Sequence, residues 1–229
     1  MQEFQLNGIN LHIPTDCLTE TLIQAITSGR YEQQESVALE RHLRPDDRVL
    51  DLGAGAGYLS SLAAGIVGGA NVVSIEAGPQ MIAALQANLE RNEAADATVV
   101  HGAVVGNDFA DTHIEFHSKQ AFWASAITSE NAEGNSRVSR VPALRIGGLL
   151  TEHQPSVVIL DIEGGEARLC DTSWPDHVRL LIMEIHSKIY SNQVIREIFD
   201  GMSRSGMTYM PWGTRGETVV FQRITPPNA

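Results

Sequence analysis

The chain has 229 residues, of which 43% are hydrophobic and 19% are charged, with a formal net charge of −12. These values are typical of one globular domain with a full core, so we expect a single domain over residues 1–229. The acidic balance disfavours nucleic acid and anionic membranes as partners, because there is no basic excess to release counterions. No membrane span or leader pattern is visible, and Cys17 and Cys170 form no redox or metal motif, which predicts a cytoplasmic protein with reduced core cysteines.

The first 105 residues predict the beginning of a doubly wound α/β sheet. Alternating segments around Asn7-Gly8 predict a hairpin, and residues 1–44 as a whole predict that hairpin followed by two helices. The first helix is expected over 15–28 with Thr15 or Asp16 as N-cap. The further expected elements are a helix over 31–42, strands over 49–52, 71–75 and 98–105, and helices over 59–67 and 79–92.

Residues 106–150 interrupt the alternation of strands and helices. The segment is too long for a simple connection, and residues 112–117, 121–128 and 137–144 alternate like strands. We therefore expect a β-excursion that stands over the strand ends and forms a wall of an acceptor pocket. The candidate lining residues of this pocket wall are His117, Phe122, Trp123, Arg137, Arg140 and Arg145. A local mini-core around Phe122 and Trp123 is an equally open interpretation.

The last part of the chain predicts the remaining strands of the sheet. Residues 156–163 and 178–185 are apolar runs of the kind found in buried parallel strands, and a short helix ends near Cys170 between them. An amphipathic helix is expected over 192–205. The short connection between 208–212 and 217–224 makes these last two strands antiparallel.

The first central strand ends in a glycine-rich turn with the sequence DLGAGAGY. Gly53, Gly55 and Gly57 alternate, and Tyr58 occupies the place where the dinucleotide pattern G-x-G-x-x-G requires a third glycine. A carboxylate at Asp51, at the mouth of the loop, repels a pyrophosphate and suits a cationic ligand. The pattern therefore predicts S-adenosylmethionine, with an NAD(P)-dependent reductase or a turn that binds nothing as the alternatives.

Other residues at the same end of the sheet predict contacts to the nucleoside. Glu76 ends the second central strand about 20 residues after the loop, where a carboxylate accepts both ribose hydroxyls. His101, Gly102 and Ala103 follow the third strand, where adenine contacts arise, although His101 is equally compatible with a partly exposed loop. Tyr31, Glu32 and Glu35 either look into this site or form a solvated surface.

Acidic residues and a histidine end the next two central strands and are the candidate catalytic groups. They are Asp161, Glu163, Glu184 and His186. A hydroxyl acceptor must lose a proton, and any of these side chains is a candidate base. Two alternatives stay open: Glu163 and Glu184 tie loops together through backbone amides, or Asp161, Glu184 and His186 bind a divalent cation.

The chain resembles the FkbM-type family of S-adenosylmethionine-dependent class I methyltransferases. The resemblance rests on Tyr31-Glu32 after a glycine, VLDLGAGAGYLS, the acidic end of the second strand, HGAVVG, DIEGGE and MEIH. It implies a Rossmann-like, seven-stranded, mostly parallel sheet with one antiparallel edge strand and helices on both faces. It also implies O-methylation of a hydroxyl on a sugar or other small molecule. The expected donor-binding residues are Tyr31, Asp51, Gly53, Ala54, Gly55, Gly57, Tyr58, Glu76, Ala77, His101, Gly102, Ala103 and Asp161.

The chain departs from the family pattern at a few positions. Ile159 stands where the family usually has a lysine, which leaves open a donor-binding protein without catalysis. No metal is predicted as a resident ligand. The oligomeric state cannot be read from the sequence, and a homodimer is one option.

Overall fold

A computed structural model describes residues 1–118, 137–169 and 172–224. The strands are β1 (Gln2–Leu6), β2 (Ile9–Ile13), β3 (Val49–Leu52), β4 (Val72–Glu76), β5 (Thr98–His101), β6 (Ala103–Val105), β7 (His113–Ser118), β8 (Arg137–Arg145), β9 (Val157–Leu160), β10 (Leu180–Glu184), β11 (Met207–Arg215) and β12 (Thr218–Arg223). The helices are α1 (Glu20–Thr27), α2 (Gln33–His42), α3 (Tyr58–Val67), α4 (Ile82–Arg91), α5 (Ile146–His153) and α6 (Asn192–Arg204).

A seven-stranded sheet forms the centre of the protein, in the order β11-β12-β10-β9-β3-β4-β5. The five consecutive strands β10, β9, β3, β4 and β5 run parallel to one another, whereas β12 is antiparallel to both β10 and β11. The predicted mostly parallel seven-stranded sheet is thus confirmed. The reversed strand lies one position in from the edge, because β11 pairs along its outer side.

The apolar runs of the central strands explain why helices cover both faces of the sheet. Residues alternate between the faces of a strand. Val49 therefore joins the core under α1 to α4, while its neighbour Leu50 joins the core under α5 and α6. Tyr58, at the beginning of α3, is fully buried in the first of these cores.

The N-terminal segment folds as a hairpin followed by helices, with one shifted boundary. Asn7 and Gly8 both have positive φ, as a tight two-residue turn between β1 and β2 requires. The helix predicted over 15–28 is wrong at its beginning. Residues Thr15–Cys17 form a separate 3-10 turn, and α1 begins after Thr19, whose hydroxyl accepts the backbone N–H of Leu22 at 3.2 Å.

The strand predicted over 98–105 divides at Gly102. β5 pairs with β4 in the central sheet, whereas β6 pairs with β8 in a separate three-stranded sheet, β6-β8-β7. A Cβ at Gly102 would lie 2.9 Å from the carbonyl oxygen of Pro142, so the chain turns where only a glycine fits. The antiparallel pair of β7 and β8 agrees with the predicted excursion. The strand predicted over 121–128, Phe122 and Trp123 lie outside the described residues.

Parallel pairing brings the C-terminal ends of several central strands together. The C-terminal ends of β3, β4, β9 and β10 meet at one edge of the sheet, and α2 begins above them. Ligands of open α/β sheets bind at this edge. Within the described part of the chain, no helix is long and apolar enough to cross a membrane.

Candidate active site

Two adjoining clefts open at the C-terminal edge of the central sheet. The inner cleft follows the glycine loop and encloses about 590 Å³ of empty space, including that at its mouth. The outer cleft extends from it under the beginning of α2 and is wider, with about 1320 Å³. Four residues line both clefts and mark the junction: Tyr31, Glu32, Asp161 and Glu163.

The inner cleft has the lining of a small-molecule site, with apolar walls and a few polar groups. Its apolar and small lining residues come from four strand ends and the excursion. Besides the four junction residues and Glu76, the lining consists of Gly53, Gly55, Ile75, Ala77, Gly102, Ala103, Val104, Phe116 and Ile162. Its carboxylates are Glu32, Glu76, Asp161 and Glu163, and no basic side chain is among its described lining residues.

The three loop glycines have positive φ values of 94° at Gly53, 52° at Gly55 and 85° at Gly57. A Cβ on Gly53 would lie 1.8 Å from the backbone oxygen of Asp161, and one on Gly57 would lie 2.6 Å from a methyl of Leu85. Gly53 and Gly55 line the inner cleft. Gly57 instead precedes α3. Packing therefore requires a glycine at both 53 and 57, and clearance for a ligand stays a prediction for Gly53 and Gly55.

Asp51 lies behind the loop rather than at its mouth. Its carboxylate is buried and accepts the hydroxyl of Ser60 at 2.5 Å, and that hydroxyl lies 2.7 Å from the hydroxyl of Ser74. Burial raises the pKa of Asp51 to about 7, with the charge of Glu76 acting in the same direction and the Ser60 hydrogen bond opposing it. Asp51 therefore braces α3 against β3 and is placed away from both clefts, contrary to its predicted position.

Three other expected donor-binding residues are also outside the cleft linings of the described structure. Ala54 is buried and donates its N–H to Ile75 O. The Tyr58 hydroxyl accepts a hydrogen bond from Asn7 at 2.8 Å, and its ring centroid is 6.0 Å from that of Tyr31. His101 Nε2 lies 3.2 Å from the carbonyl oxygen of Ala77. These residues support the lining rather than form it.

Glu76 holds the glycine loop and its own turn at the same time. One carboxylate oxygen accepts the N–H of Gly55 at 2.8 Å, and the other accepts the N–H of Gly78 at 2.5 Å. Burial raises the pKa of Glu76, while these amide bonds act against the rise. Since a carboxylate can accept about four hydrogen bonds, it keeps capacity for two hydroxyls on the cleft side.

Tyr31 and Glu32 form the roof of the junction. Glu32 has φ of 46°, a left-handed conformation that is uncommon for a residue other than glycine. Its side chain is hydrogen-bonded to that of Tyr31, and burial raises the pKa of both groups well above their usual values. Of the two alternatives for these residues, a place at the site or a solvated surface, the structure has the first: Tyr31 and Glu32 line both clefts, and Glu35 lines the outer one.

The predicted catalytic residues come together around His186. Its Nε2 lies 3.1 Å from a carboxylate oxygen of Glu163 and 3.7 Å from Oδ1 of Asp161. Burial alone would lower the pKa of His186, but hydrogen bonds to Glu163 and Glu166 outweigh it and raise the pKa to about 11. A pKa this high favours the imidazolium form at neutral pH, which suits a partner of the carboxylates better than a base.

The carboxylates around that imidazolium are harder to ionise than usual. Burial, followed by the charges of neighbouring carboxylates, raises the pKa of Asp161 well above its ordinary value. Burial also raises the pKa of Glu163 and of Glu184. Oδ1 of Asp161 is buried and has no hydrogen-bond partner among the described residues.

Glu166 and Tyr190 complete this arrangement and were not expected from the sequence. The fully buried carboxylate of Glu166 accepts the N–H of Ile162 at 2.8 Å, the N–H of Gly164 at 3.0 Å and the hydroxyl of Tyr190. Its Oε2 is also 3.6 Å from Nδ1 of His186. Glu166 is the last residue of the DIEGGE segment, which is a local signal that could have indicated it. Tyr190, 24 residues later, has no such signal.

The same cluster offers a set of atoms that could hold a metal ion. One atom each from Asp161, Glu163 and His186 lies within 4.8 Å of the others. Glu184, expected in such a set, is not part of it. A histidine binds a metal ion only through its neutral imidazole. Because the pKa of His186 is raised, a metal ion would have to displace a proton from it.

The expected wall residues of the acceptor pocket that the structure describes are His117, Arg140 and Arg145, and they are placed elsewhere. Arg145 donates hydrogen bonds to the carbonyls of Phe109 and Ala110, and neither His117 nor Arg140 is among the described lining of the two clefts. Phe116, which was not expected, lines the inner cleft instead. The side chains of Phe122, Trp123 and Arg137 lie outside the described residues.

Comparisons with known proteins point to methyltransferases. A model of the protein-L-isoaspartate(D-aspartate) O-methyltransferase family matches residues 21–108, which is less than half of the chain. A ribosomal protein L11 methyltransferase from Thermus thermophilus is 46% identical over 55 residues, 24% of this chain and 21% of that protein. The chain thus matches only about a fifth of the length of this curated relative.

Solved structures share the fold. Trm5b from Pyrococcus abyssi is similar with a TM-score of 0.52 and 12% identity, over 95% of this chain and 52% of that one. TYW2 from M. jannaschii, solved in complex with AdoMet, gives a TM-score of 0.48 and 14% identity, over 97% of this chain and 86% of that one.

These comparisons correct the family expected from the sequence. The matched family model is that of the isoaspartate O-methyltransferases and not the FkbM type, so the FkbM resemblance is wrong as an assignment. The coarser expectation survives: the Rossmann-like fold is confirmed, and the matches support a methyltransferase that uses S-adenosylmethionine.

Proposed function

We propose that the chain is an S-adenosylmethionine-dependent methyltransferase that binds the donor in the inner cleft and the acceptor in the outer cleft. The observation that carries this proposal is the charge of the inner cleft. A glycine loop opens onto four carboxylates, Glu32, Glu76, Asp161 and Glu163, with no basic side chain among the described lining residues. Such a site repels a pyrophosphate and favours a ligand with an ammonium and a sulfonium.

The lining of the inner cleft fits the parts of this donor. Glu76 would accept the ribose hydroxyls with the lone pairs that its backbone hydrogen bonds leave free. The apolar surface of Val104 and Phe116 would lie against the adenine. Asp161 and Glu32, at the junction, would face the positively charged end of the donor.

The donor supplies an activated methyl group on a sulfonium, and the chain's residues position the acceptor and receive its proton. We propose a hydroxyl of a small molecule as the acceptor. Asp161 and Glu163 line both clefts, so each can contact a hydroxyl at the junction and accept its proton. Burial raises the pKa of both carboxyls, which makes their ionised forms stronger bases. The imidazolium of His186, 3.1 Å from Glu163, holds that carboxylate in place.

The experiment is a calorimetric titration with S-adenosylmethionine, S-adenosylhomocysteine, NADH and NADPH. We expect binding of the first two and none of the dinucleotides. Binding of a dinucleotide alone would favour the reductase and contradict the proposal. The variant Glu152→Gln is a matched control, because Glu152 is an exposed carboxylate of α5.

Catalysis is tested separately from binding. The protein is incubated with methyl-labelled donor and a cell extract, and label in a new compound is expected. Donor binding without any transfer would favour the donor-binding protein without catalysis. Repeating the reaction with a chelator shows whether the atoms of Asp161, Glu163 and His186 need a metal ion. The cytoplasmic location and a homodimer stay predictions from the sequence.

A further inference from the structure

The charges of the outer cleft are sorted by depth. Glu35 is buried and Glu184 is half-buried, whereas the basic residues Arg30 and Lys188 are exposed at the rim. Arg30 is held by the hydroxyl of Ser28 through its Nε at 2.9 Å. The described interior of the outer cleft is therefore acidic, and its mouth carries Arg30 and Lys188 together with Glu217.

Among the described residues, the cation of the interior is His186, and it is already engaged. Nε2 of His186 is 3.1 Å from Glu163, and its Nδ1 is 3.6 Å from Glu166, which lies below the cleft. Within the part of the chain that the structure describes, no ion pair within 4.0 Å involves Glu32, Glu35 or Glu184. These three carboxylates face an open cavity without a basic partner.

A second observation concerns the junction between the two clefts, next to these residues. Oδ1 of Asp161, at the junction, is buried and has no hydrogen-bond partner among the described residues. The donor would place its positive charges against Asp161 and Glu32. Glu35 accepts the hydroxyl of Thr218, and Glu184 is attracted by His186 from beyond 4.0 Å, but the donor brings no positive charge close to either carboxylate. A buried carboxylate without a close counter-charge is costly to ionise.

We propose that the acceptor is a small molecule that carries a positively charged amino group in addition to its hydroxyl, and that Glu184 and Glu35 bind this ammonium. The inference rests on the proposed function, since it names the class of acceptor for that site. Acceptors with phosphate or carboxylate groups are disfavoured, because they would bring negative charge against these two residues. The exposed rim cations, Arg30 and Lys188, lie too far out in solvent to reverse this preference.

The test separates an extract of the source organism by size and then by charge. The small-molecule filtrate is divided by ion exchange into cationic, neutral and anionic pools, and the protein fraction is kept as a fourth sample. Each sample is incubated with the protein and methyl-labelled donor. We expect label transfer in the cationic pool and a labelled product that is still cationic.

Variants connect the preference to the named residues. Glu184→Gln should raise the KM for the cationic acceptor about tenfold, which corresponds to about 1.4 kcal/mol, while the affinity for S-adenosylhomocysteine stays within about twofold. Glu152→Gln, an exposed carboxylate on α5, is the matched control and should change neither value. Circular dichroism confirms that the variants are folded.

Each other outcome has a distinct meaning. Label only in the neutral, anionic or protein sample overturns the inference and leaves methyl transfer standing. No label in any sample, with S-adenosylhomocysteine still bound, also overturns it. An equal loss of donor affinity in Glu184→Gln would show that Glu184 serves the donor. Failure to bind the donor at all defeats the proposed function itself, and the inference with it.

Discussion

Replacing Gly53 by alanine tests whether the glycine loop is fixed by contact with the neighbouring strand end. The added Cβ would lie 1.8 Å from the backbone oxygen of Asp161, and the residue has φ of 94°. A positive φ costs an alanine about 1–2 kcal/mol. Forcing apart a packed strand end costs about 1–3 kcal/mol more, so we expect a loss of roughly 2–5 kcal/mol of unfolding free energy.

Gly65→Ala is the matched control for this substitution. Gly65 lies inside α3, is exposed, and has no atom within 4 Å of the position of an added Cβ. Alanine is the better helix former, so this variant should gain about 0.5–1 kcal/mol. The two glycines therefore give changes of opposite sign for the same added methyl group.

Urea unfolding followed by circular dichroism measures both changes. With a urea m value of about 2 kcal/mol/M, the midpoint of Gly53→Ala should fall by about 1 M or more, while that of Gly65→Ala rises slightly. Calorimetry should show that Gly53→Ala also loses affinity for S-adenosylhomocysteine, because its loop is displaced. A Gly53→Ala variant with the midpoint and affinity of the parent would refute the proposed contact.

Three other substitutions probe the support of the site. Because the pKa of Asp51 is raised to about 7 in the fold, its stabilising contribution is present below about pH 4 and is lost as the pH rises to about 7. Asp51→Asn should therefore be more stable than the parent at pH 8, by up to about 4 kcal/mol, and similar at pH 4; an equal difference at both pH values contradicts this account. Tyr190→Phe removes the hydroxyl that donates to buried Glu166 and should cost about 1–3 kcal/mol in urea unfolding, and a neutral result would show that this bond is unimportant. Glu76→Gln should weaken S-adenosylhomocysteine binding about tenfold or more in calorimetry, and unchanged affinity would remove Glu76 from the ribose site.

The residues that the sequence analysis placed together, and that lie together in the structure, are those with local signals. Gly53 and Gly55 follow an apolar strand in an alternating pattern, and Glu76 follows the next strand. Parallel neighbours bring such strand ends to one edge. Asp161 and Glu163 were placed near each other for the same reason. These residues lie together in the structure as the spacing indicated.

Other features depend on contacts between distant segments and left no local signal. β6 leaves the central sheet because its partner, β8, begins 34 residues after Ala103. The charge state of His186 depends on Glu163 and Glu166 from another strand end, so its residue type alone suggested a base. Asp51 was misplaced since the sequence does not show that its side chain points toward Ser60.

The family assignment failed for a related reason. DIEGGE and MEIH lie at strand ends, and open α/β sheets in general hold their ligands there, so such short motifs alone do not identify a family. The matched family model covers residues 21–108, which includes the glycine loop and Glu76 but neither of those motifs. The family match therefore extends over the glycine loop and Glu76 and does not reach the strand ends after β9 and β10.

The departure of β6 at Gly102 means that two independent hydrogen-bonded sheets supply the walls of the inner cleft. Gly53 and Glu76 belong to the central sheet, while Ala103 and Val104 belong to the sheet of the excursion. A change of sequence in β7 or β8 can thus reshape one side of the cleft and leave the pairing of the central strands on the opposite side unchanged. Evolution can in this way retune which molecules the pocket admits while the supporting scaffold stays constant.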